Sequence, residues 1–299
     1  MGLGHAEAEF LLAEHRFQPI RGEVLIAGRP AAGLTAGRAV QLLTATGTPL
    51  RSGHEGGGEN RLTNGALLAL FSDATVRTLS GPGVTSADVT ADLGTPIRAE
   101  LENRYDVIVT DGFLDGVFDA VLALRNMSRM VKPGGRLVMF ERGNSFPDAY
   151  IKLTPDWFLD FFAYNRYADA KTYILHYPTL DGKEPFADHG LPIDAYHYDP
   201  LVGEFGNMGY QCTHPHTHGY TMNCVVAQKA VDSTHDLSPT QMHYRLNDEV
   251  RRPYLTYAIR FQEAVRPLFR RASGAPINGS PTLSQFGTLK PVASWAADE

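Results

Sequence analysis

Along the first half of the chain, short continuous apolar runs alternate with stretches whose apolar positions recur at helical spacing. That alternation predicts a parallel sheet covered by helices. Glu23-Val24-Leu25-Ile26-Ala27 reads as a buried strand, followed by Gly28-Arg29-Pro30-Ala31-Ala32-Gly33. A helix through Ala39, Val40, Leu42 and Leu43 comes next, with Thr35 as its N-cap, and stops near Gly47. Residues 51–60 hold four glycines and no apolar period, which predicts a loop. Leu67 to Phe71 suggests a short helix, Thr75 to Leu79 a second strand, and Asp88 to Ala91 a short third one.

Tyr105-Asp106-Val107-Ile108-Val109-Thr110 is a clearer strand, and a helix from about Phe118 to Val131 follows it. Lys132-Pro133-Gly134-Gly135 is a strong stop signal, after which Arg136 to Glu141 reads as strand. Pro155 to Phe162 is an aromatic-rich helix with Thr154 as its cap. Ala170 to His176 and Tyr220 to Gln228 close the sheet around an irregular insert, 177–219. The pattern thus divides the chain into an α/β domain over 1–230, a helical C-terminal extension over 231–272 and a flexible tail over 273–299.

The composition narrows the classes. Among 299 residues, 43% are hydrophobic, ample for a buried core. The net charge of −6 argues against a nucleic-acid binder and against a polybasic membrane surface. No apolar run approaches the roughly 20 residues that span a bilayer. Cys212 and Cys224 cannot form a disulfide framework, so a reducing cytoplasm is the expectation. Residues 1–16 carry Glu7, Glu9 and Glu14 and do not read as a signal peptide.

The stretch from Tyr105 through Asn126-Met127-Ser128-Arg129-Met130-Val131-Lys132-Pro133-Gly134-Gly135 to Val138 resembles the class I S-adenosylmethionine (SAM)-dependent methyltransferases. The shared motif is a strand, a helix, and a tight Lys-Pro-Gly-Gly turn into the next strand. Proline ends the helix, and two glycines let the backbone drop back into the sheet. The resemblance covers about 20–230 and is nearest to small-molecule and sugar methyltransferases of bacterial biosynthetic clusters. It implies a doubly wound, Rossmann-like, seven-stranded sheet, with SAM as cofactor across the carboxyl ends of the strands.

Carried over by position, the resemblance places Gly28, Arg29 and Gly33 at the methionine part of SAM. It places Ser80 where an acid normally grips the ribose hydroxyls, Asp92 and Leu93 beside the adenine, and Thr110, Asp111 and Gly112 next to the methyl donor. Pro30 removes a backbone donor from the first loop, Arg29 adds a bulky cation, and Ser80 stands in place of a carboxylate. A bidentate carboxylate–diol contact is charge-assisted, about 1.5–3 kcal/mol.

The candidate chemistry follows. Asp111 or Asp115 could act as a base or orient an amine or hydroxyl, and Asp115 also suits an N-cap for the helix starting near Val117. His214, His216 and His218 project from one face of an extended strand. His214 and His216 are base candidates with Asp111. No metal is expected, although the three histidines form an alternative ligand set. Same-face neighbours on a strand stand about 7 Å apart, which opposes three-fold ligation by one straight strand. Tyr196, Tyr198, Tyr210, Tyr220 and Phe205 give the insert an aromatic surface, suited to a substrate pocket or to packing on the sheet. Arg251, Arg252, Arg260, Arg266, Arg270 and Arg271 make the extension basic, and it reads as a cap or an oligomer contact that would pair two copies as a homodimer.

The resulting expectation is a methyltransferase acting on a hydroxyl or amine of a small metabolite in a bacterial biosynthetic pathway, with a small-molecule substrate and no nucleic-acid or membrane partner. The altered Gly28 and Ser80 positions motivate the alternative: a methyltransferase fold that no longer transfers methyl groups and serves as a binding or scaffold subunit, or as a lyase or cyclase using the old pocket.

Overall fold

The computed structural model describes residues 2–28, 31–52, 60–82, 87–143, 149–178, 194–198 and 219–240, together with 252, 253 and 256. Their elements, in chain order, begin with helix α1 (His5–Phe17), strand β1 (Glu23–Ala27), β2 (Ala31–Thr35), helix α2 (Ala36–Ala45), β3 (Arg61–Thr63) and α3 (Asn64–Ala69). There follow β4 (Thr75–Ser80), β5 (Val89–Thr90), β6 (Tyr105–Asp111), α4 (Ala120–Met130) and β7 (Val131–Arg142), then α5 (Pro155–Tyr164), β8 (Asp169–Pro178), β9 (Asp194–Tyr198) and β10 (Gly219–Gln228).

One sheet has the order β5-β4-β1-β6-β7-β10-β8-β9. The first five strands run parallel; β10 is antiparallel to both β7 and β8. Five parallel strands with one reversed strand inserted before the next define a Rossmann-like, class I methyltransferase fold, as the Lys-Pro-Gly-Gly motif implies. An eighth strand, β9, comes from the insert and extends the edge by pairing with β8. Two apolar layers sandwich the sheet. One gathers Phe10, Leu11, Leu42 and Leu67 from α1, α2 and α3 over Val107, Val109 and Phe140; the other gathers Leu124, Met127, Phe158 and Phe162 from α4 and α5 over Ile108, Leu137 and Met139.

The local signals mostly act as read. Thr35 caps α2 by accepting from the Arg38 amide, and Thr154 caps α5 by accepting from the Trp157 amide. Gly134 takes φ of +80°, the left-handed conformation that the Lys-Pro-Gly-Gly turn requires.

Three features differ from the expectation. The segment after β1 is not a plain turn into a helix: β2 pairs with β3 in a separate two-stranded ribbon. Asp115 is not the cap of the helix after β6; α4 begins at Ala120, and Asp119 caps it by accepting from the Leu122 amide at 2.9 Å. Asp115 instead sits buried in a tight 3-10 turn, Leu114–Gly116. Thirdly, α1 lies against the sheet although no apolar period announces it. Phe10 packs edge-on against Phe140 and Tyr173. The acidic Glu7, Glu9 and Glu14 are all buried.

Candidate active site at the carboxyl edge

Strand order reverses between β1 and β6. From β1 the sheet grows one way through β4 and β5, and from β6 it grows the other way through β7. A crevice at such a switch point, outside the carboxyl ends of the strands, is where open α/β sheets bind ligands. Here Gly28 directly follows β1 and Asp111 ends β6.

Gly28 has φ of +145°, and a Cβ there would stand 3.1 Å from the Asp111 carbonyl oxygen and 3.4 Å from the Asp111 Cβ. Glycine is needed for both reasons, conformation and close approach. Period-two alternation puts Asp111 on the same face as Val107 and Val109, under α1, with its side chain 2% exposed. Thr110 points to the opposite face, where its hydroxyl donates to Glu141 Oε1 at 2.5 Å.

Glu141, the last residue but one of β7, is a hub of this edge. Its Oε2 accepts from the backbone amides of Phe113 (3.0 Å) and Leu114 (2.9 Å), fixing the chain as it leaves β6. Burial pushes its carboxyl up to about 8, against the lowering effect of the Thr110 hydroxyl; Asp115 and Asp111 raise it further. Next to it Arg142 grips Asp115 with two bonds, Nε to Oδ2 and Nη2 to Oδ1, the latter at 2.9 Å. Three acids thus stand near the switch point on two faces: Asp115 paired with Arg142, Glu141 holding the amides of the turn, and Asp111 on the α1 face.

On the α1 face, Tyr177 at the carboxyl end of β8 donates its hydroxyl to Glu7 Oε1 at 2.7 Å. Both side chains are buried, and Glu7, Cys224 and Asp111 all act electrostatically on the phenol.

The cofactor candidates distribute along this edge in strand order. Ser80 is the last residue of β4 and pairs in register with Thr90. Asp92 and Leu93 follow β5 after Ala91; Asp92 Oδ1 accepts from the Gly94 amide at 2.9 Å, and Leu93 is buried. Asn126 of α4 ties that turn down by donating to the carbonyls of Leu93 (2.9 Å) and Thr95 (2.7 Å). Gly112, with φ of +55°, leaves β6 and donates its amide to the Phe140 carbonyl. Neighbouring strands are about 4.8 Å apart, so Asp92, Ser80, Gly28 and Asp111 mark a track of roughly 14 Å.

Gly33 departs from its expected place in a ligand loop. It lies within β2, and its amide donates to the Leu3 carbonyl at 2.9 Å, so that donor is taken by the chain itself. Arg29, Pro30, His214, His216 and His218 lie outside the described residues, as do most of the insert, most of the C-terminal extension and the whole tail. Among the described residues there is no cluster of potential metal ligands. None of their helices is long and apolar enough to cross a membrane. A cleft of about 350 Å³ between α4 and α5, lined by Val121, Trp157, Phe161 and Leu237, includes none of the switch-point residues.

Sequence reading missed Glu141, Glu7 and Tyr177. Glu141 could have been suspected as an acid directly after the apolar run Leu137–Phe140; nothing local marks the other two.

The strand order defines the class: a doubly wound, Rossmann-like, methyltransferase-like α/β fold. No protein-family model matches the chain, and no curated protein matches it. Among solved structures it is similar to the CMeT domain of the citrinin polyketide synthase, at 11% identity over 76% of this chain and a TM-score of 0.38; the chain spans about half, 52%, of that protein. It is also similar to the YcgJ protein from Bacillus subtilis, at 11% identity over 74% of this chain and 98% of that one, TM-score 0.37. A third likeness is to a SAM-dependent methyltransferase, possible histamine N-methyltransferase, from Thermotoga maritima, at 12% identity over 76% and 90% of the two chains, TM-score 0.36. These likenesses are too distant to carry an activity, and the fold assignment rests on the strand order itself.

Proposed function

We propose that the protein is a SAM-dependent methyltransferase acting on a hydroxyl or amine of a small metabolite. The observation that carries this reading is the sign of the charge at the switch point. A doubly wound sheet offers that crevice to a nucleotide, and the commonest alternative occupant, a dinucleotide, brings an anionic pyrophosphate. Among the described residues, Arg142 is already bound to Asp115, Glu141 keeps its proton up to about 8, and Asp111 adds a further acid, so this edge makes a poor cradle for two phosphates. An acid at the end of β6 suits a cation, and a sulfonium is one.

The residues present fit that group. Gly28 leaves room where a side chain would strike Asp111, and Asp92 and Ser80 lie along the track for the nucleoside. SAM when bound supplies a methyl group activated by positive sulfur. The chain's own part is to hold donor and acceptor in line, keep water out, and receive the acceptor's proton. Asp111, at the end of β6, is the proposed proton acceptor among the described residues; His214 and His216 remain candidates for the same role.

Calorimetry with SAM and with the neutral thioether S-adenosylhomocysteine tests the reading. Micromolar binding of both is expected, with Asp111→Asn weakening SAM more than the thioether. Absence of heat and of thermal shift at millimolar ligand would sink it. That outcome would favour the second reading, a binding or scaffold subunit, for which the engagement of the Gly33 amide by Leu3 is the supporting observation.

A further inference from the structure

We infer that Glu141 is a positioning residue for the ligand of the switch point: without touching that ligand, its side chain sets the turn after β6 and, through Val117, the turn after β5. The inference rests on the methyltransferase reading, from which it takes the ligand, and adds to it a residue that holds both ends of the track in place.

Three observations carry it. First, the pairing of β6 with β7 ends at Asp111 opposite Phe140. Past that pair the chain is held by the last three residues of β7. The Gly112 amide donates to the Phe140 carbonyl at 2.7 Å, Glu141 Oε2 accepts from the Phe113 and Leu114 amides, and Arg142 grips Asp115. Glu141 also reaches back into β6, where its Oε1 accepts from the Thr110 hydroxyl. Second, the turn leads to the other end of the track. The Val117 amide donates to the Leu114 carbonyl at 3.1 Å, and a Cβ on Gly94 would stand 3.7 Å from Val117 Cγ1. Gly94 is the residue whose amide Asp92 holds. Contacts therefore run without a gap from Glu141 through Leu114 and Val117 to the turn after β5. Third, Glu141 and Leu114 are both 0% exposed. The Leu114 amide has no bulk water to turn to, so loss of the carboxyl is met by movement of the turn.

The role differs from that of Asp111. Both Glu141 oxygens are engaged by the chain itself, on the Thr110 hydroxyl and the turn amides, so the side chain faces into the sheet edge and takes no proton from a substrate. What it supplies is separation. A ligand lying along the track has to meet Thr110 and Gly112 at one end and Asp92 at the other at the same time, and a fixed distance between those ends removes the ordering cost from binding. A short substitute that leaves the two turns free to move apart loses that advantage although every residue on the track is unchanged.

The test titrates S-adenosylhomocysteine calorimetrically into the full chain at neutral pH. Glu141→Ala should weaken the affinity about tenfold or more, and Glu141→Gln, which keeps an acceptor for the two amides and a donor for Thr110, should stay within about threefold of the unaltered protein. Lys229→Met strips three hydrogen bonds at the opposite, amino end of β7 and should leave the affinity unchanged while lowering stability. Glu141→Ala should also speed amide exchange at Phe113, at Leu114 and, at a distance, at Gly94, a signature that Lys229→Met does not give. If Glu141→Ala fails to fold by circular dichroism, Glu141→Asp takes its place with the same expectations, since a side chain one methylene shorter cannot reach Thr110 and both amides together. Thioether affinity unchanged in the short variant, an equal loss in Lys229→Met, or no recovery in Glu141→Gln overturns the inference and leaves the methyltransferase reading standing. Exchange at Gly94 unchanged in the short variant overturns the coupling through Val117. Absence of thioether binding by the unaltered protein overturns the inference and the methyltransferase reading together.

Discussion

Replacing Glu141 by glutamine should make the protein's stability far less sensitive to alkali. The side chain is fully buried, and its carboxyl titrates at about 8 in the fold against 4.5 in a solvated chain. The folded state thus holds a proton that the unfolded state has released. The stability that this proton represents is whole below about pH 4.5, declines as pH rises, and is gone above about 8. The slope is about 1.4 kcal/mol per pH unit between the two values and flattens near 8, so wild type should lose roughly 2 kcal/mol relative to Glu141→Gln between about pH 6 and pH 8.

Glutamine imitates the protonated state. Its carbonyl can accept from the Phe113 and Leu114 amides, and its amide can donate to the Thr110 hydroxyl. Glu7 and Glu14 are also raised by burial and slope the same way, but they are common to both proteins and cancel in the difference. Urea unfolding followed by tryptophan fluorescence, from roughly pH 5.5 to 8.5, reads the effect. Parallel stability curves for the two proteins would refute the account, because they would mean that Glu141 ionises in the fold much as it does in water.

Three further outcomes follow from the same edge. Gly28→Ala places a Cβ against the Asp111 carbonyl at a φ of +145°; it should destabilise by about 1–3 kcal/mol and weaken S-adenosylhomocysteine binding, measured by urea midpoint and calorimetry. Arg142→Met leaves buried Asp115 without its cation and should cost about 3–5 kcal/mol, most of it recovered by adding Asp115→Asn; a double-mutant cycle with no recovery would argue against a direct pair. Asn126→Leu strips two donors from the turn after β5 and should cost about 1–3 kcal/mol, with faster amide exchange at Gly94 and Thr95 as the local signature.

The strands that build the switch point were legible because they are buried on both faces and therefore read as unbroken apolar runs, as in Glu23–Ala27 and Tyr105–Asp111. Caps and turns were legible where one residue carries the signal, as with Thr35, Thr154 and Gly134. Helix α1 was not, because acids at 7, 9 and 14 stand at positions the fold buries; periodicity counts them as exposed, and only tertiary partners explain them. Tyr177 is one, for Glu7; Arg136, 3.6 Å from Glu14, is another. The ribbon of β2 and β3 was invisible because its strands are short and far apart in sequence. The Asp115–Arg142 and Thr110–Glu141 contacts were missed because each joins the end of β6, or the turn after it, to the end of β7, a proximity that exists only once the sheet has formed. The reading of Asp115 as a cap failed for that reason: a stronger partner waited on the neighbouring strand.

The docking of α1 onto β7, β8 and β10 also bears on how the polypeptide matures. Glu7 and Tyr177 are 170 residues apart, and Phe10 rests on rings from β7 and β8. During synthesis the face of the first helix that meets β7 and β8 therefore stays uncovered until the ribosome has delivered most of the sheet, and an apolar face so long uncovered is exposed to aggregation. Its three acids, awkward inside the finished protein, would keep that waiting stretch in solution, so the same glutamates serve the nascent chain before they serve the native one.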